Sequence, residues 1–128
     1  MKETPEKRLN AKIVLCKCPK NHDCEGASKL FGMRIEEQNR DWIRTWAFKI
    51  DAEKAHREGF DDEAVRGTML PSSDYPGCPY CGGMSIAQCS CGKIFCQTGA
   101  KTILTCPWCG HDGEYNSVDK INVQGGGL

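Results

Sequence analysis

The sequence predicts an α+β fold that is mostly β, in which an N-terminal β-hairpin and a short helix precede a cysteine-rich ribbon. Three observations predict this fold. Two runs within residues 31–50 alternate apolar and polar residues, the segment 51–59 carries signals for a helix start and a helix end, and from Cys78 onward glycine, cysteine and β-forming residues dominate. We expect a flexible arm at 1–12, the hairpin and helix at 13–76, the ribbon at 77–116 and a tail at 117–128 that ends in the flexible segment "QGGGL", with 13–116 forming one compact unit.

The composition limits the class of protein. A chain of 128 residues with 39% hydrophobic residues can bury only a modest core, so we expect an additional cross-link. Ten cysteines approach the proportion of a disulfide scaffold, but "MKETPEKRLNAK" has no apolar signal-peptide core. We therefore expect reduced thiols and a cytoplasmic protein. No apolar run approaches the roughly 20 residues that a membrane span needs, so no membrane partner is expected.

The N-terminal strands have clear signals. "IVLCKC", at 13–18, is an apolar run typical of a strand, and "EQNRD", at 37–41, is a turn-forming segment between the two runs of a hairpin. In the second run the residues at a period of two predict one buried face, with Arg44 as an exception. This face is the best core candidate and consists of Trp42, Trp46, Phe48 and Ile50.

A short helix and a further strand follow the hairpin. Asp51 is placed to accept hydrogen bonds from the free N–H groups of a first helical turn, and Gly59 is placed to end a helix of two to three turns. "AVRGTML", at 64–70, predicts another strand, and "PSSDYPG", at 71–77, has the composition of a turn. This turn leads into the first cysteine pair.

Two similar motifs, "CPYCGG" and "CPWCGH", raise a choice between redox centres and a metal site. A thioredoxin-type dithiol needs a helix directly after the motif, but the "GGMSIAQCSCG" that follows the first motif is a poor helix former. A metal-binding knuckle needs a residue that tolerates positive φ after the second cysteine, and both motifs have glycine there, Gly82 and Gly110. We therefore predict one tetrahedral site that joins the two knuckles through Cys78, Cys81, Cys106 and Cys109.

Four thiolates predict zinc, and such a site is structural because it has no vacant position for water. Four thiolates in a tetrahedron also suit iron, so a rubredoxin-like electron carrier is an alternative. The sequence shows neither a nucleophile with a paired base nor a glycine-rich phosphate loop, and we therefore expect no enzymatic activity. The cysteine-rich segment and its metal together are expected to form a zinc ribbon.

Three cysteines inside the ribbon, Cys89, Cys91 and Cys96, predict a second zinc site, so the chain is expected to hold one Zn²⁺ or two. A turn near Gly92 would bring their strands together, and Cys18, His22 or Cys24 would supply the fourth ligand. The alternative is that Cys89 and Cys96 only fill the core of the hairpin. A separate N-terminal site is a further alternative, and His56 and His111 are expected at the surface. The residues of that N-terminal site would be Cys16, Cys18, His22 and Cys24.

Charge favours a protein partner over nucleic acid. The 17 basic residues balance 17 acidic ones, and the ribbon has no basic stripe of the kind that nucleic-acid binding requires. The alternative function is a nucleic-acid-binding zinc ribbon that uses Lys93, Lys101 and the basic arm. The main hypothesis is a non-catalytic module that presents a rigid surface to another protein.

The order of the motifs resembles a known family. "WAFKIDAEKAHREGF", "YPGCPYCGG", "CSCGKIFCQTG" and "TCPWCGHDGEY" resemble, in this order, the C-terminal metal-binding domain of TerY-type proteins from bacterial tellurite-resistance and stress systems. The resemblance implies a zinc module without enzymatic activity, often joined to a von Willebrand factor A domain and associated with a kinase and a phosphatase. This chain has no room for a von Willebrand domain, so we expect a stand-alone module or a fragment. The metal-binding role would fall on Cys78, Cys81, Cys89, Cys91, Cys96, Cys106 and Cys109.

Overall fold

A computed structural model describes residues 11–19, 29–60, 64–98 and 102–123. These residues form nine strands and one short helix, so the mostly β fold is confirmed. The one helix among them is far too short and too polar to span a membrane. In chain order the elements are β1 (Ala11–Lys17), β2 (Leu30–Gln38), β3 (Asp41–Lys49), α1 (Ala52–Arg57), β4 (Val65–Pro71), β5 (Ser85–Gln88), β6 (Ile94–Gln97), β7 (Ile103–Thr105), β8 (Asp112–Glu114) and β9 (Lys120–Val123).

Strands β2 and β3 form the hairpin that the sequence predicts. They pair antiparallel, from Phe31 opposite Lys49 to Gln38 opposite Asp41. The two residues of the loop, Asn39 and Arg40, have φ values of 53° and 75°. Positive φ at both positions is characteristic of the two-residue turns whose twist matches that of antiparallel strands. The turn lies inside the predicted "EQNRD" segment.

A bulge in β3 changes which tryptophan is buried. Arg34 pairs with Trp46 while the next residue, Ile35, pairs with Arg44, so Thr45 is an extra residue in the ladder. An extra residue reverses the alternation of faces. Trp42 is therefore buried, but Trp46 is 55% exposed. The predicted buried face was wrong at Trp46, and Arg44, predicted as its exception, is itself buried. Phe48 and Ile50, predicted on the same face as Trp42, pack in a different cluster from it.

Helix α1 begins and ends where the sequence predicts. The Asp51 carboxylate accepts a hydrogen bond of 2.7 Å from the backbone N–H of Lys54, which satisfies one free donor of the first turn. The chain leaves the helix through Gly59, whose φ is 80°. Ala55 is buried against Leu15, Leu30 and Ile50, so the helix covers one end of the sheet.

The cysteine-rich segment is part of the same sheet as the hairpin. The seven-stranded sheet has the order β5-β6-β1-β2-β3-β4-β9, and β7 pairs only with β8. Strand β6 of the predicted ribbon pairs with β1 across the boundary predicted between residues 76 and 77. The predicted tail at 117–128 differs from the structure. Its residues 120–123 form β9 and pair with β4, where Ile121 and Val123 are buried.

The two edge strands of this sheet lie next to each other. The amide of Gln88 in β5 donates to the carbonyl of Asn122 in β9 at 2.9 Å and accepts from the N–H of Asn122 at 3.2 Å. The N–H of Val118 also donates to the carbonyl of Ile86 at 2.9 Å. The side chain of Gln88 thus satisfies backbone groups at an edge that would otherwise be open to another chain.

Apolar residues cover both faces of the β5–β6 hairpin. Ile86 and Ile94 belong to the main core together with residues of β1 to β4 and β9. Ala87 and Phe95 point the other way, into a smaller core that includes Leu104 and Tyr115. The hairpin therefore lies between two packed layers. Each layer also contains buried cysteines, Cys18, Cys78 and Cys96 in the main core and Cys89 and Cys106 in the smaller one.

Candidate metal centres

The first knuckle, residues 78–83, is a tight turn that directs backbone N–H groups toward its own sulfurs. The N–H of Tyr80 lies 3.4 Å from the Sγ of Cys78, and the N–H of Gly83 lies 3.4 Å from the Sγ of Cys81. The turn is closed by a bond of 2.8 Å from the N–H of Gly82 to the carbonyl of Cys78. The φ of Gly82 is 80°, so this position requires glycine as predicted.

The second knuckle, residues 106–111, repeats this geometry. The N–H of Trp108 lies 3.4 Å from the Sγ of Cys106, and the N–H of Gly110 donates to the carbonyl of Cys106 at 2.9 Å. Gly110 has a φ of 83°. N–H groups that point at sulfur favour its ionised form, which is the form that binds metal. The two knuckles are therefore equivalent turns, each ready to present thiolates.

The turn between β5 and β6 presents another pair of cysteines. The N–H of Gly92 donates to the carbonyl of Cys89 at 2.9 Å, and the N–H of Cys89 donates to the carbonyl of Lys93 at 3.0 Å. Gly92 has a φ of 93°. The predicted turn near Gly92 is thus present. It places Cys89 and Cys91 together at the end of the hairpin.

The structure gathers eight cysteines into two groups of four. Within each group all sulfur atoms lie within 4.8 Å of one another. In the first cluster the sulfurs of Cys81 and Cys96 are 3.4 Å apart, and in the second those of Cys89 and Cys109 are 3.6 Å apart. The first cluster consists of Cys18, Cys78, Cys81 and Cys96; the second cluster consists of Cys89, Cys91, Cys106 and Cys109.

This grouping differs from the predicted one. The sequence predicts a single site from both knuckles, Cys78 and Cys81 with Cys106 and Cys109, but the structure puts each knuckle in a different cluster. The predicted second group, Cys89, Cys91 and Cys96, is divided as well. The physical reason is the β5–β6 hairpin, because Cys96 lies in the main core and Cys89 in the smaller one. The hairpin separates the two knuckles, and each knuckle meets the cysteines that lie on its own side of the hairpin.

The remaining candidate residues have different environments. Cys18, which follows β1, joins the first cluster, but its partners there are Cys78, Cys81 and Cys96 and not the predicted set of Cys89, Cys91 and Cys96. Cys16 is buried in the main core but does not belong to either cluster. His56 and His111 are exposed, as predicted. His22 and Cys24 lie outside the described residues, so the alternative N-terminal site stays a prediction.

The two clusters differ in exposure. In the first cluster Cys18, Cys78 and Cys96 are buried and only Cys81 is partly accessible. In the second cluster, Cys91 and Cys109 are both exposed, whereas Cys89 and Cys106 are buried. Water and small molecules therefore reach the second cluster more easily than the first.

Close packing of thiols perturbs their ionisation. Contacts with the thiols of Cys18, Cys78 and Cys96, in that order, lower the pKa of Cys81, whereas contacts headed by Cys18 raise the pKa of Cys96. A contact with the Cys18 thiol also lowers the pKa of Cys78, so Cys78 and Cys81 ionise before Cys96, whose ionisation their negative charge opposes. A divalent cation among the sulfurs would allow all four to ionise.

In the second cluster a tyrosine hydroxyl also acts on a thiol. The Oη of Tyr115 lies 3.4 Å from the Sγ of Cys89. Burial tends to raise the pKa of Cys89, but hydrogen bonds headed by that of Tyr115 outweigh it and lower the pKa to about 6. Burial raises the pKa of Cys106 to about 12. Tyr115 was not a candidate from the sequence, because nothing in the local pattern relates it to Cys89.

The aromatic residue inside each knuckle anchors the turn to the sheet. The Tyr80 hydroxyl donates to the carbonyl of Leu30 at 2.9 Å, and the Trp108 indole N–H donates to the carbonyl of Ile94 at 2.7 Å. The ammonium of Lys93 lies 5.0 Å from the centre of the Trp108 ring, within cation–π range. Nucleic-acid binding by the ribbon would depend on Lys93 and Lys101. Lys93 packs against Trp108 beside the second cluster, and Lys101 lies outside the described residues.

The sulfur geometry fits a tetrahedral metal ion. A tetrahedron with metal–sulfur bonds of about 2.3 Å has sulfurs about 3.8 Å apart. The observed separations include 3.4 Å in the first cluster and 3.6 Å and 3.9 Å in the second. A disulfide would need about 2.0 Å, and all nine described cysteines are free thiols. Both clusters are thus compatible with a metal ion held by four cysteines.

Comparison with known proteins gives one family. The TerY-C metal binding domain family matches residues 46–126, which is more than half of the chain. The matched range contains every cysteine of the two clusters except Cys18. Neither the curated proteins nor the solved structures contain a match.

Proposed function

The chain belongs to the TerY-C metal binding domain family, and on this premise we propose that it is a non-catalytic module that binds two Zn²⁺ ions and presents a rigid surface to a protein partner. The first ion would be held by the first cluster and the second by the second cluster. The observation that supports this most directly is the convergence of two complete sets of four cysteine sulfurs, each set within 4.8 Å.

Zinc suits these ligand sets for chemical reasons. It prefers tetrahedral coordination, has no redox chemistry of its own and binds thiolates strongly. Four protein ligands leave no coordination position for water or substrate, so we propose structural and not catalytic ions. Binding of a structural zinc ion supplies about 10–16 kcal/mol, whereas a domain has a net stability of about 5–15 kcal/mol. Metal binding would therefore decide whether the fold is stable.

The test is native mass spectrometry of the protein purified without added metal. We expect two zinc ions per chain and a colourless solution. Cys96→Ser and Cys106→Ser, one substitution in each cluster, should each reduce the count to one ion. A red protein that contains iron would support the rubredoxin-like alternative, and a wild-type chain with one ion would contradict the two-site proposal.

The protein-partner part of the proposal has two supports. One is the family, whose resemblance implies association with von Willebrand A, kinase or phosphatase proteins in a bacterial stress or phosphorylation-signalling system in the cytoplasm. The other is Trp46, which the bulge at Thr45 turns to the solvent, where it is 55% exposed. Exposed tryptophans are enriched among residues that dominate protein interfaces. Beside it in register lies Arg34, which lines a groove of about 230 Å³ with Ile13 and Phe60.

Binding assays with purified candidate partners test this part. We expect Trp46→Ser to weaken binding of a von Willebrand A, kinase or phosphatase protein, and Ile103→Ser, a matched change at another exposed apolar residue, to leave it unchanged. Equal binding by wild type and Trp46→Ser would contradict a role for this surface. Tight nucleic-acid binding that weakens steeply with salt, without any protein partner, would favour the nucleic-acid alternative.

A further inference from the structure

Arg44 is a buried cation in an unusual position. It lies in β3, and only 2% of its surface is exposed. Its Nη2 donates to the carbonyl of Met84 at 2.8 Å and its Nη1 to the carbonyl of Met69 at 3.4 Å, while its Nε has no hydrogen-bond partner in the described part of the chain. Burial lowers the pKa of Arg44, but a guanidinium stays charged in proteins. A full positive charge is thus kept inside the core.

No carboxylate among the described residues forms an ion pair with this charge. Carbonyl groups accept its hydrogen bonds, the centre of the Tyr75 ring lies 5.2 Å from the guanidinium carbon, and the Cys16 thiol and the Asp119 carboxylate act on the charge electrostatically. Carbonyls and a ring carry only partial negative charge. Buried charges are normally paired with a full opposite charge, because isolated ones are strongly unfavourable. Because none of these groups forms an ion pair with Arg44, its surroundings favour further negative charge nearby.

The first cluster is linked to Arg44 through the backbone of its own knuckle. Met84, which accepts a hydrogen bond from Arg44, directly follows Gly83, whose N–H points at the Sγ of Cys81. The carbonyl of Gly83 also accepts a hydrogen bond from the N–H of Cys78 at 2.9 Å. Arg44 is therefore bound to the backbone segment that closes the first knuckle.

Tyr75 gives a second link between Arg44 and the cluster. Burial, and then the negative charge of the Cys16, Cys78 and Cys96 thiolates, raise the pKa of Tyr75, whereas the positive charge of Arg44 tends to lower it. The guanidinium and these sulfurs therefore act on the same hydroxyl. The positive and negative groups thus share one buried region of the core.

We propose that Arg44 is the buried counter-cation of the first cluster: it offsets the net charge of −2 that four thiolates and one divalent ion would place in the apolar core. This inference rests on the proposed function. The second cluster has no such need, because Cys91 and Cys109 are exposed and water can solvate the charge. Arg44 is a positioning residue, since it acts on the ligands through charge and through the Met84 carbonyl.

Cadmium-113 NMR during competition with a chelator tests the proposal, because it resolves the two sites in one sample. Partners beyond the direct ligands typically change metal affinity about 10- to 100-fold. We expect Arg44→Gln to weaken Cd²⁺ binding at the first cluster by about this factor and to leave the second unchanged. Arg44→Lys, which keeps the charge, should restore most of the affinity.

Arg34→Gln is the matched control, because Arg34 lies on the neighbouring strand, pairs with Glu36 and has a side chain 39% exposed. It should change neither site. A wild-type chain that binds fewer than two Cd²⁺ ions would overturn the proposed function and this inference together. If wild type binds two ions but Arg44→Gln weakens Cd²⁺ binding equally at both sites, the inference alone would be overturned. The same holds if Arg44→Lys binds Cd²⁺ at the first cluster no more tightly than Arg44→Gln.

A charge-compensated variant keeps the test decisive if Arg44→Gln does not fold. Cys81→His replaces a thiolate with a neutral imidazole that also binds zinc-like ions, and it lowers the net negative charge of the site by one. We expect Cys81→His to cost less affinity in the Arg44→Gln background than in wild type, or to restore folding of Arg44→Gln with Cd²⁺. Equal or larger losses in the double variant would overturn the inference.

Discussion

Replacing Gly82 with alanine tests the knuckle geometry at one position. Gly82 has a φ of 80°, and a Cβ built there would meet no atom within 4 Å. The substitution therefore introduces no clash, and its effect is that of holding an alanine in the left-handed region. That conformation costs about 1–2 kcal/mol. Since each 1.4 kcal/mol is a factor of ten, metal binding at the first cluster should weaken by about 5- to 30-fold.

The assay is a chelator competition read by cadmium-113 NMR, with Gly59→Ala as the control. Gly59 also has a φ of 80° and open space around it, but it follows α1 and belongs to neither knuckle. Gly82→Ala should weaken the first cluster selectively, whereas Gly59→Ala should change the two sites equally or not at all. A selective loss at the second cluster, or no loss at either, would refute the assignment of this knuckle to the first cluster.

Three further predictions concern stability and metal release. Phe95→Ala should destabilise the metal-loaded protein by about 3–5 kcal/mol in urea unfolding, because Phe95 is fully buried against Tyr115; a loss below about 1 kcal/mol would contradict its place in the core. Trp108→Phe removes the donor to the Ile94 carbonyl and should cost about 0.5–1.5 kcal/mol in the same assay, and an unchanged midpoint would contradict this hydrogen bond. A chelator should remove one metal ion quickly and the other slowly, because Cys91 and Cys109 are exposed; native mass spectra that show both ions leaving together would refute unequal sites.

Local signals were sufficient to predict much of the fold. Asp51 and Gly59 mark the start and the end of the helix, because capping and helix termination depend on one or two residues. The hairpin turn follows from its own residues in the same way. The bulge at Thr45 carries no such signal, because it depends on how β2 and β3 pair along their whole length. The exposure of Trp46 could therefore not be predicted from alternation.

The grouping of cysteines depends on contacts between distant segments. Each knuckle is a local motif, and glycine after its second cysteine was enough to predict its turn. The face of the β5–β6 hairpin that a knuckle meets decides which other cysteines join that knuckle. Both faces of that hairpin are buried, so its sequence does not show which side Cys89 or Cys96 occupies. Similar motifs were therefore expected to pair with each other, although the fold separates them.

We infer that the two knuckles belong to different four-cysteine metal sites. Proton–cadmium correlation NMR of the chain loaded with ¹¹³Cd²⁺ tests it most directly, because each ion couples to the β-protons of its own ligands. We expect two cadmium signals, one correlated with Cys78 and Cys81 and the other with Cys106 and Cys109. A single signal correlated with both knuckles would contradict the account.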